Sequence, residues 1–432
     1  MNKISVFILI TLFSFVSYAQ EKNWTLEQCI EAGLENSLEI KIRQIEIKRT
    51  QKSHNSIVNN LLPTIVFSAN QSYNFGSTID PSTNGRVSSN IQNDNFFLSA
   101  QMSLIDFNAI ATSQLTKLDV EKAKVEKEVL ENEYKLQIIE SYFTALYSQE
   151  LLKIQEAQFS NAKSNLDRIQ KEEAIGSKPL SDLYDMQLSV ALEEKNILET
   201  KQVLEIQKQQ LFQLLNADSI DVKEILLIPF LKREENAMSY EVYNPKIKLA
   251  SLNYQRALKR IKQAKGKNLP TIGAFYNYST FYYKPLNQPD VVVNSFNSQF
   301  SDNKNQQVGL QLNVPIFNGF RNSKNAKALK LESQKSKLTI DKETIQIEQQ
   351  VKIEEDKKRQ FVILEQKLVD IHDLTQKTFK TSQAKFEAGK IDAIVFSTVK
   401  NQMLQSEYNL LKTKLQLQFT SIKIDLLKYN QL

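Results

Sequence analysis

The sequence predicts a mixed fold: a membrane β-barrel continued by a long α-helical coiled-coil barrel, written as a duplicated helix-strand-strand-helix-helix unit with four strands per chain. Three observations predict it. Landmarks recur in the same order about 200 residues apart. Stretches of apolar–polar alternation interrupt a chain otherwise composed for helix. Apolar residues repeat every seven positions over spans too long for a globule.

Composition sets the frame. The chain has 432 residues, with only nine Gly and nine Pro. Its 55 basic and 49 acidic residues are interspersed, giving a net charge of +6. That reads as solvated helix faces, and no nucleic-acid partner is expected. At the N-terminus Lys3 precedes an apolar run from Ile4 to Val16, then Ser17-Tyr18-Ala19. This is a secretory signal peptide over 1–19, cleaved after Ala19. No other segment approaches the ~20 apolar residues of a membrane-spanning helix. Cys29 is the only cysteine, so no intrachain disulfide can form; it reads as a small apolar helix residue.

The duplication rests on four landmarks. Leu62–Ile65 returns as Leu269–Ile272, 207 positions on. The apolar pattern from Asn36 returns from Asn244, Ser103–Ala109 corresponds to Asn313–Gly319, and Gly176 corresponds to Gly389. The first repeat is therefore assigned to 20–216, a crossover segment to 217–243 and the second repeat to 244–432. Helices are predicted over about 24–59, 108–173 and 180–215, then 244–267, 320–387 and 391–428. Strands fall at about 61–76, 94–107, 270–284 and 305–316, and helix-turn tips at about 174–180 and 387–391.

The helix over 108–173 would be ~100 Å long at 1.5 Å per residue and cannot bury itself alone. The heptads supply its partner. Leu183, Val190, Ile197, Leu204 and Leu211 follow Gly176, and Phe396, Met403, Leu410, Leu417 and Ile424 follow Gly389, each series starting seven residues past its glycine. Two shorter helices stacked end to end match one long helix, so they should meet near its middle. There Trp24 and the crossover, with Pro229, should form a small collar.

Each strand has two faces. Ile65, Phe67, Ala69, Tyr73 and Phe75 oppose Thr64, Ser68, Asn70, Ser72 and Asn74, with Val66 the exception. Phe96, Leu98, Ala100, Met102 and Leu104 oppose Asn95, Phe97, Ser99, Gln101 and Ser103. Val308, Leu310, Leu312 and Val314 oppose Gln307, Gly309, Gln311 and Asn313, while the strand from Thr271 to Tyr283 is aromatic on both sides. One apolar face and one small, uncharged polar face fit a transmembrane barrel. Four strands cannot close one, and an open edge in lipid is forbidden. Several chains must share a barrel: two give eight strands, three give twelve.

These residues resemble the outer-membrane efflux protein family, the TolC-like channels. The resemblance covers 24–428. It rests on Leu-Pro-Thr-Ile opening the first and third strands, on Val314–Phe320 (VPIFNGF) at the fourth strand-to-helix corner, and on the two Gly turns. It implies a homotrimer with a twelve-strand barrel in the outer membrane and a twelve-helix periplasmic tunnel. It implies an exit duct for a tripartite efflux or type I secretion system, passive in transport, with a periplasmic adaptor and an inner-membrane pump of RND, ABC or MFS type as partners. Carried over by position, the adaptor-contact tips are Ile175, Gly176 and Ser177, and Ala388, Gly389 and Lys390. A plain hairpin turn accounts for the glycines equally well. The resemblance places an acidic gate just past the second turn; where its carboxylates would stand this chain has Val395 and Thr398, and the nearest acid is Asp392. After the first turn, Asp182 and Asp185 share a helix face and would form a cation-drawing ring in a trimer, or lie simply solvated.

No enzyme chemistry is legible. His54 and His372 stand alone on helices, and no cysteine pair, phosphate loop or nucleophile elbow is present. Catalytic, cofactor and metal sites are expected to be absent. The competing reading is a secreted or periplasmic trimeric coiled-coil scaffold or adhesin, which accounts for heptads and leader but not for four membrane-type strands. The exported cargo, whether drug, metal or protein, has no signature in this chain.

Overall fold

Several helices start here where a side chain satisfies the first free N–H groups, as Thr25, Ser56, Ser295 and Asp392 do. The computed structural model describes residues 22–54, 56–88, 90–217, 221–230, 242–286 and 292–430. The segment expected to be a signal peptide and residues 218–220 and 231–241 of the crossover lie outside these. Strand β1 (Lys22–Trp24) leads to α1 (Leu26–Asn36), where Thr25 and Gln28 form a reciprocal capping box. Helices α2 (Leu38–Ser53) and α3 (Ile57–Leu61) follow, then β2 (Thr64–Asn74), the short pair β3 (Ser77–Ile79) and β4 (Arg86–Ser88), and β5 (Ile91–Ile105). Helix α4 (Phe107–Ala174) spans 68 residues and turns into α5 (Leu180–Leu214).

The single helix predicted over 24–59 is thus three. Ser37 ends α1, its N–H donating to Gly33 O at 3.0 Å, while its Oγ accepts from the Ile40 N–H at 3.4 Å. Ser56 caps α3 in the same way, accepting from the Asn59 N–H at 3.2 Å. Hydroxyls that compete for backbone groups break the helix where apolar periodicity alone runs on.

After α5 a 3₁₀ turn leads into β6 (Ile225–Leu227). The second half comprises α6 (Pro245–Gly266), β7 (Thr271–Pro285), a short α7 (Phe296–Asp302), β8 (Asn305–Asn313), α8 (Arg321–Glu387) and α9 (Ala393–Tyr429). The predicted strand over 305–316 stops at Asn313, and Pro315, which has no N–H to give a ladder, follows.

The chain divides into two compact units, one of residues 46–124 and 249–341 and one of the remainder; α2, α4, α6 and α8 supply residues to both. The helical unit has its main core around Leu26, Cys29, Ile138, Tyr142, Leu146, Leu211, Phe212 and Leu426. Beside it β1 and β6 pair in parallel, Trp24 opposite Leu227. Gln149 of α4 reads this strand as another strand would: its Oε1 accepts from the Leu227 N–H at 2.9 Å, and its Nε2 donates to Leu227 O at 2.8 Å. The Tyr142 hydroxyl donates to Ile228 O at 2.6 Å. Both heptad series lie buried or half-buried along their whole length, as knobs in a helical seam require.

The other unit is built on one antiparallel sheet of order β2-β5-β7-β8, with β2 and β8 at its edges. Its helices are tied by Arg256 to Asp119, by Gln263 Nε2 to Thr112 Oγ1 at 2.8 Å, and by His54 Nδ1 to Thr116 Oγ1 at 2.8 Å. No helix among the described residues is long and apolar enough to cross a membrane.

Candidate functional site

Side chains on a strand alternate faces, so pairing register decides whether four amphipathic strands share one apolar side. Here they do. Ile65 pairs with Ala100, Ala100 with Tyr276, and Tyr276 with Val308. The next row joins Phe67, Leu98 and Tyr278 and ends on the polar Gln306; rows below carry Met102, Ala274 and Leu310, then Ile272 and Leu312. The opposite face runs Val66–Ser99–Asn277–Gln307 and Thr64–Gln101–Phe275–Gly309. No charged side chain occurs in these rows. The weakly alternating strand β7 is placed by its neighbours, not by its own pattern.

Among the described residues the apolar face is covered at its Phe96 end by α7 and is exposed along the rows of the edge strands. Val308 is 81% and Leu310 73% exposed, and Ile65 and Phe67 are exposed as well. A patch of this kind on a folded chain marks a partner or a membrane. Among the described residues both edge strands, β2 and β8, have one side without a ladder partner.

Sequence reading missed α7, taken as polar loop. Ser295 caps it, and Phe296 and Phe300 pack edge-on against Phe96, centroids 6.1 and 5.3 Å away. Where β8 ends, α7 takes over its hydrogen bonds: Gln299 bonds both N–H and C=O of Tyr283 at 3.0 Å, and Asn303 Nδ2 donates to Phe281 O at 2.9 Å. The Ser cap and the i, i+4 phenylalanines were the available signal.

The two helix-turn tips have one geometry. Gly176 has φ +75° and Gly389 φ +69°, a left-handed conformation that glycine adopts without strain. Ser177 N–H donates to Glu172 O and Lys390 N–H to Lys385 O, each at 2.8 Å, closing Schellman turns. Ile175 is 81% exposed, and Ser177, Ala388 and Lys390 are exposed beside it. Behind them lies a small core of Ile169, Met186, Phe386, Ala393 and Phe396. The Phe386 ring stacks on Phe396 at 4.5 Å, with the Arg168 guanidinium carbon 4.9 Å from its centroid. One aromatic thus joins the start of α9 to the end of α4.

The gate candidates separate. Asp182 is only 5% exposed and pairs with Lys178 at 3.6 Å, so its charge is neutralised within the tip core. Asp185 is half-buried. Asp392 caps α9, accepting from the Val395 N–H at 2.8 Å, and Val395 and Thr398 are exposed. Among the described residues no group of three or more His, Cys, Asp or Glu is placed to hold a metal ion. Burial first, then Glu27, pushes the Cys29 thiol up to about 12, which leaves it inert.

The two halves of the chain thus contribute to one four-stranded sheet and end their long helices in matching Schellman tips. Residues 29–217 match the outer membrane efflux protein family. Likeness in fold to solved structures covers 93–97% of the chain. The outer membrane protein VceC of Vibrio cholerae is 14% identical, with a TM-score of 0.75 over 93% of this chain and 94% of that one. The CmeC outer membrane channel of Campylobacter jejuni is 12% identical, with a TM-score of 0.75 over 93% and 84%. The MtrE outer membrane channel of Neisseria gonorrhoeae, in its open state, is 14% identical, with a TM-score of 0.71 over 97% and 94%. At such identities the likeness is one of fold alone. No curated protein matches in sequence.

Proposed function

We propose that this chain is one protomer of a homotrimeric outer-membrane channel, the passive exit duct of a tripartite efflux or type I secretion system. One observation carries the reading: four antiparallel strands share an apolar face exposed along both edge strands, a neutral polar face and two edges unpaired among the described residues. An unpaired edge cannot face hydrocarbon, so β2 and β8 pair with further copies, and three chains supply twelve strands. Outer-membrane lipid covers the apolar face; water fills the other side. The family match over 29–217 supports the same reading.

In this reading the leader is removed during export, and the exposed tips at Ile175–Ser177 and Ala388–Lys390 dock a periplasmic adaptor that links to an inner-membrane pump of RND, ABC or MFS type. The gate rests on Asp185 with Asp392, Val395 and Thr398, since Lys178 neutralises Asp182. The test is conductance: the detergent-purified full chain in a planar bilayer should give uniform, long-lived single-channel steps. A protein that elutes as a water-soluble rod without conductance would instead be the coiled-coil scaffold or adhesin.

A further inference from the structure

Positive charge in this chain gathers at one end of the four-stranded sheet. The stretches 259–267 of α6 and its exit and 321–337 of α8 carry eleven Lys and Arg against one acid, Glu332. Among the described residues only Lys335 of the eleven forms an ion pair, with Glu332 at 4.0 Å. Both stretches abut the same strand ends. Helix α6 stops at Gly266 and β7 starts at Thr271; β8 stops at Asn313, the register partner of Thr271, and α8 starts at Arg321. Asn268 Oδ1 ties the two corners, accepting from Asn322 Nδ2 at 2.7 Å and from Asn318 Nδ2 at 3.1 Å.

The cations stand away from the packed side. Along α8, Asn322, Ala326, Leu329 and Ser333 are half-buried or buried, in steps of four, three and four, whereas Lys324, Lys327 and Lys330 are exposed. Lys262, Lys265 and Lys267 at the end of α6 are exposed too. Between β8 and the α8 lysines stands an apolar corner: Ile316 is 94% and Phe317 74% exposed, with the Phe320 ring edge-on to Phe317 at 5.3 Å. The chain thus runs from exposed apolar strand through exposed aromatics to cations, the order met from hydrocarbon through interface to headgroups. A second copy does not match this charge. Residues 46–124, the other stretch of the same unit, hold seven cations to six acids and so offer no acidic surface.

We propose that this basic corner binds the phosphodiester headgroups of anionic phospholipid in the leaflet next to the helices. The inference rests on the channel reading, which puts lipid on the apolar sheet face. Each Lys or Arg near an anionic surface strengthens binding roughly fivefold. The attraction reaches about 10 Å at 0.1 M salt and about 3 Å at 1 M, so closely set lysines act together and salt weakens them together.

The test is native mass spectrometry of the full chain in neutral detergent, with phosphatidylglycerol and phosphatidylcholine of the same acyl chains in competition. The parent should retain phosphatidylglycerol with at least tenfold preference, and 1 M ammonium acetate should bring that preference near parity. Lys324→Gln/Lys327→Gln/Lys330→Gln should do the same at low salt. Lys367→Gln/Lys377→Gln/Lys380→Gln, an equal loss of charge farther along α8, should leave the preference unchanged. Equal retention of both lipids by the parent overturns the proposal. So does a preference that salt does not weaken, that the first variant keeps, as when the lysines face a second copy or water, or that both variants lose equally. Conductance in a phosphatidylcholine bilayer separates the two readings: a conducting parent without lipid preference loses this inference alone, and one that neither conducts nor prefers loses both.

Discussion

The Phe275 ring lies across Gly309 on the neighbouring edge strand: a Cβ at Gly309 would sit 2.7 Å from the ring's Cζ. The two residues are register partners in β7 and β8 on the neutral polar face. An aromatic laid over a glycine restores packing that a bare edge strand lacks. Gly309→Ala should force the ring aside and cost about 1–3 kcal/mol, as overpacking does. Urea unfolding should show that loss, and Phe275→Leu in the same chain should recover part of it. An unchanged midpoint in Gly309→Ala would mean the ring is not packed there.

The shared apolar face predicts an asymmetry between adjacent positions. Leu310→Arg puts a charge on the bare side, where a lipid-facing arginine costs about 2–4 kcal/mol near mid-bilayer. Gln311→Arg puts it on the polar side and should leave stability nearly unchanged. Refolding into vesicles across a urea series measures both; equal losses would contradict the assigned faces.

The ion pair of Lys400 and Glu193 bridges α9 and α5, with side-chain exposures of 3% and 14%. Lys400→Met strands a buried carboxylate and should cost about 3–5 kcal/mol. Replacing both partners, Lys400→Met with Glu193→Leu, should restore most of it. A double variant no more stable than the single one would show that the pair itself stabilises the fold.

At the tips nothing lies within 4 Å of a Cβ built on Gly176 or Gly389. Alanine there meets only backbone strain, roughly 1–2 kcal/mol for a left-handed residue. Hydrogen exchange at Ser177 and Lys390 should quicken by similar factors in the two variants, with the remaining helices unchanged. A larger effect at one tip would break the equivalence of the turns.

Acid should loosen α8 from the end of α9. For Glu354 burial opposes ionisation, but hydrogen bonds from Lys423 and Lys357 outweigh it and hold the carboxyl below its ordinary 4.5. For Glu355 the hydrogen bond from Lys428 leads, and the direction is the same. A depressed folded-state value means the stabilisation is complete above pH 4.5 and is lost as pH falls below it. The thermal midpoint should therefore drop below that pH, and drop less in Lys423→Met/Lys428→Met. Identical slopes would remove these pairs as the cause.

Much of this was legible because it is periodic. Seven-residue spacing from Leu183 and Phe396 marked the buried seams, and strict alternation in Val308–Val314 marked an apolar face. What escaped was local hydrogen bonding. Ser37 and Ser56 divide a helix that the apolar pattern runs straight through. Gln149 completes the β1–β6 ladder, and Gln299 and Asn303 complete β7, from positions whose sequence says only "polar". Asp182 read as a ring charge because spacing cannot show that Lys178, four residues earlier, turns back onto it.

The mass of the detergent-extracted particle tests the central claim most directly. Native mass spectrometry of the full chain should give three copies, the number whose four-stranded sheets supply a twelve-strand barrel. A stable monomer, with β2 and β8 still unpaired, would contradict it.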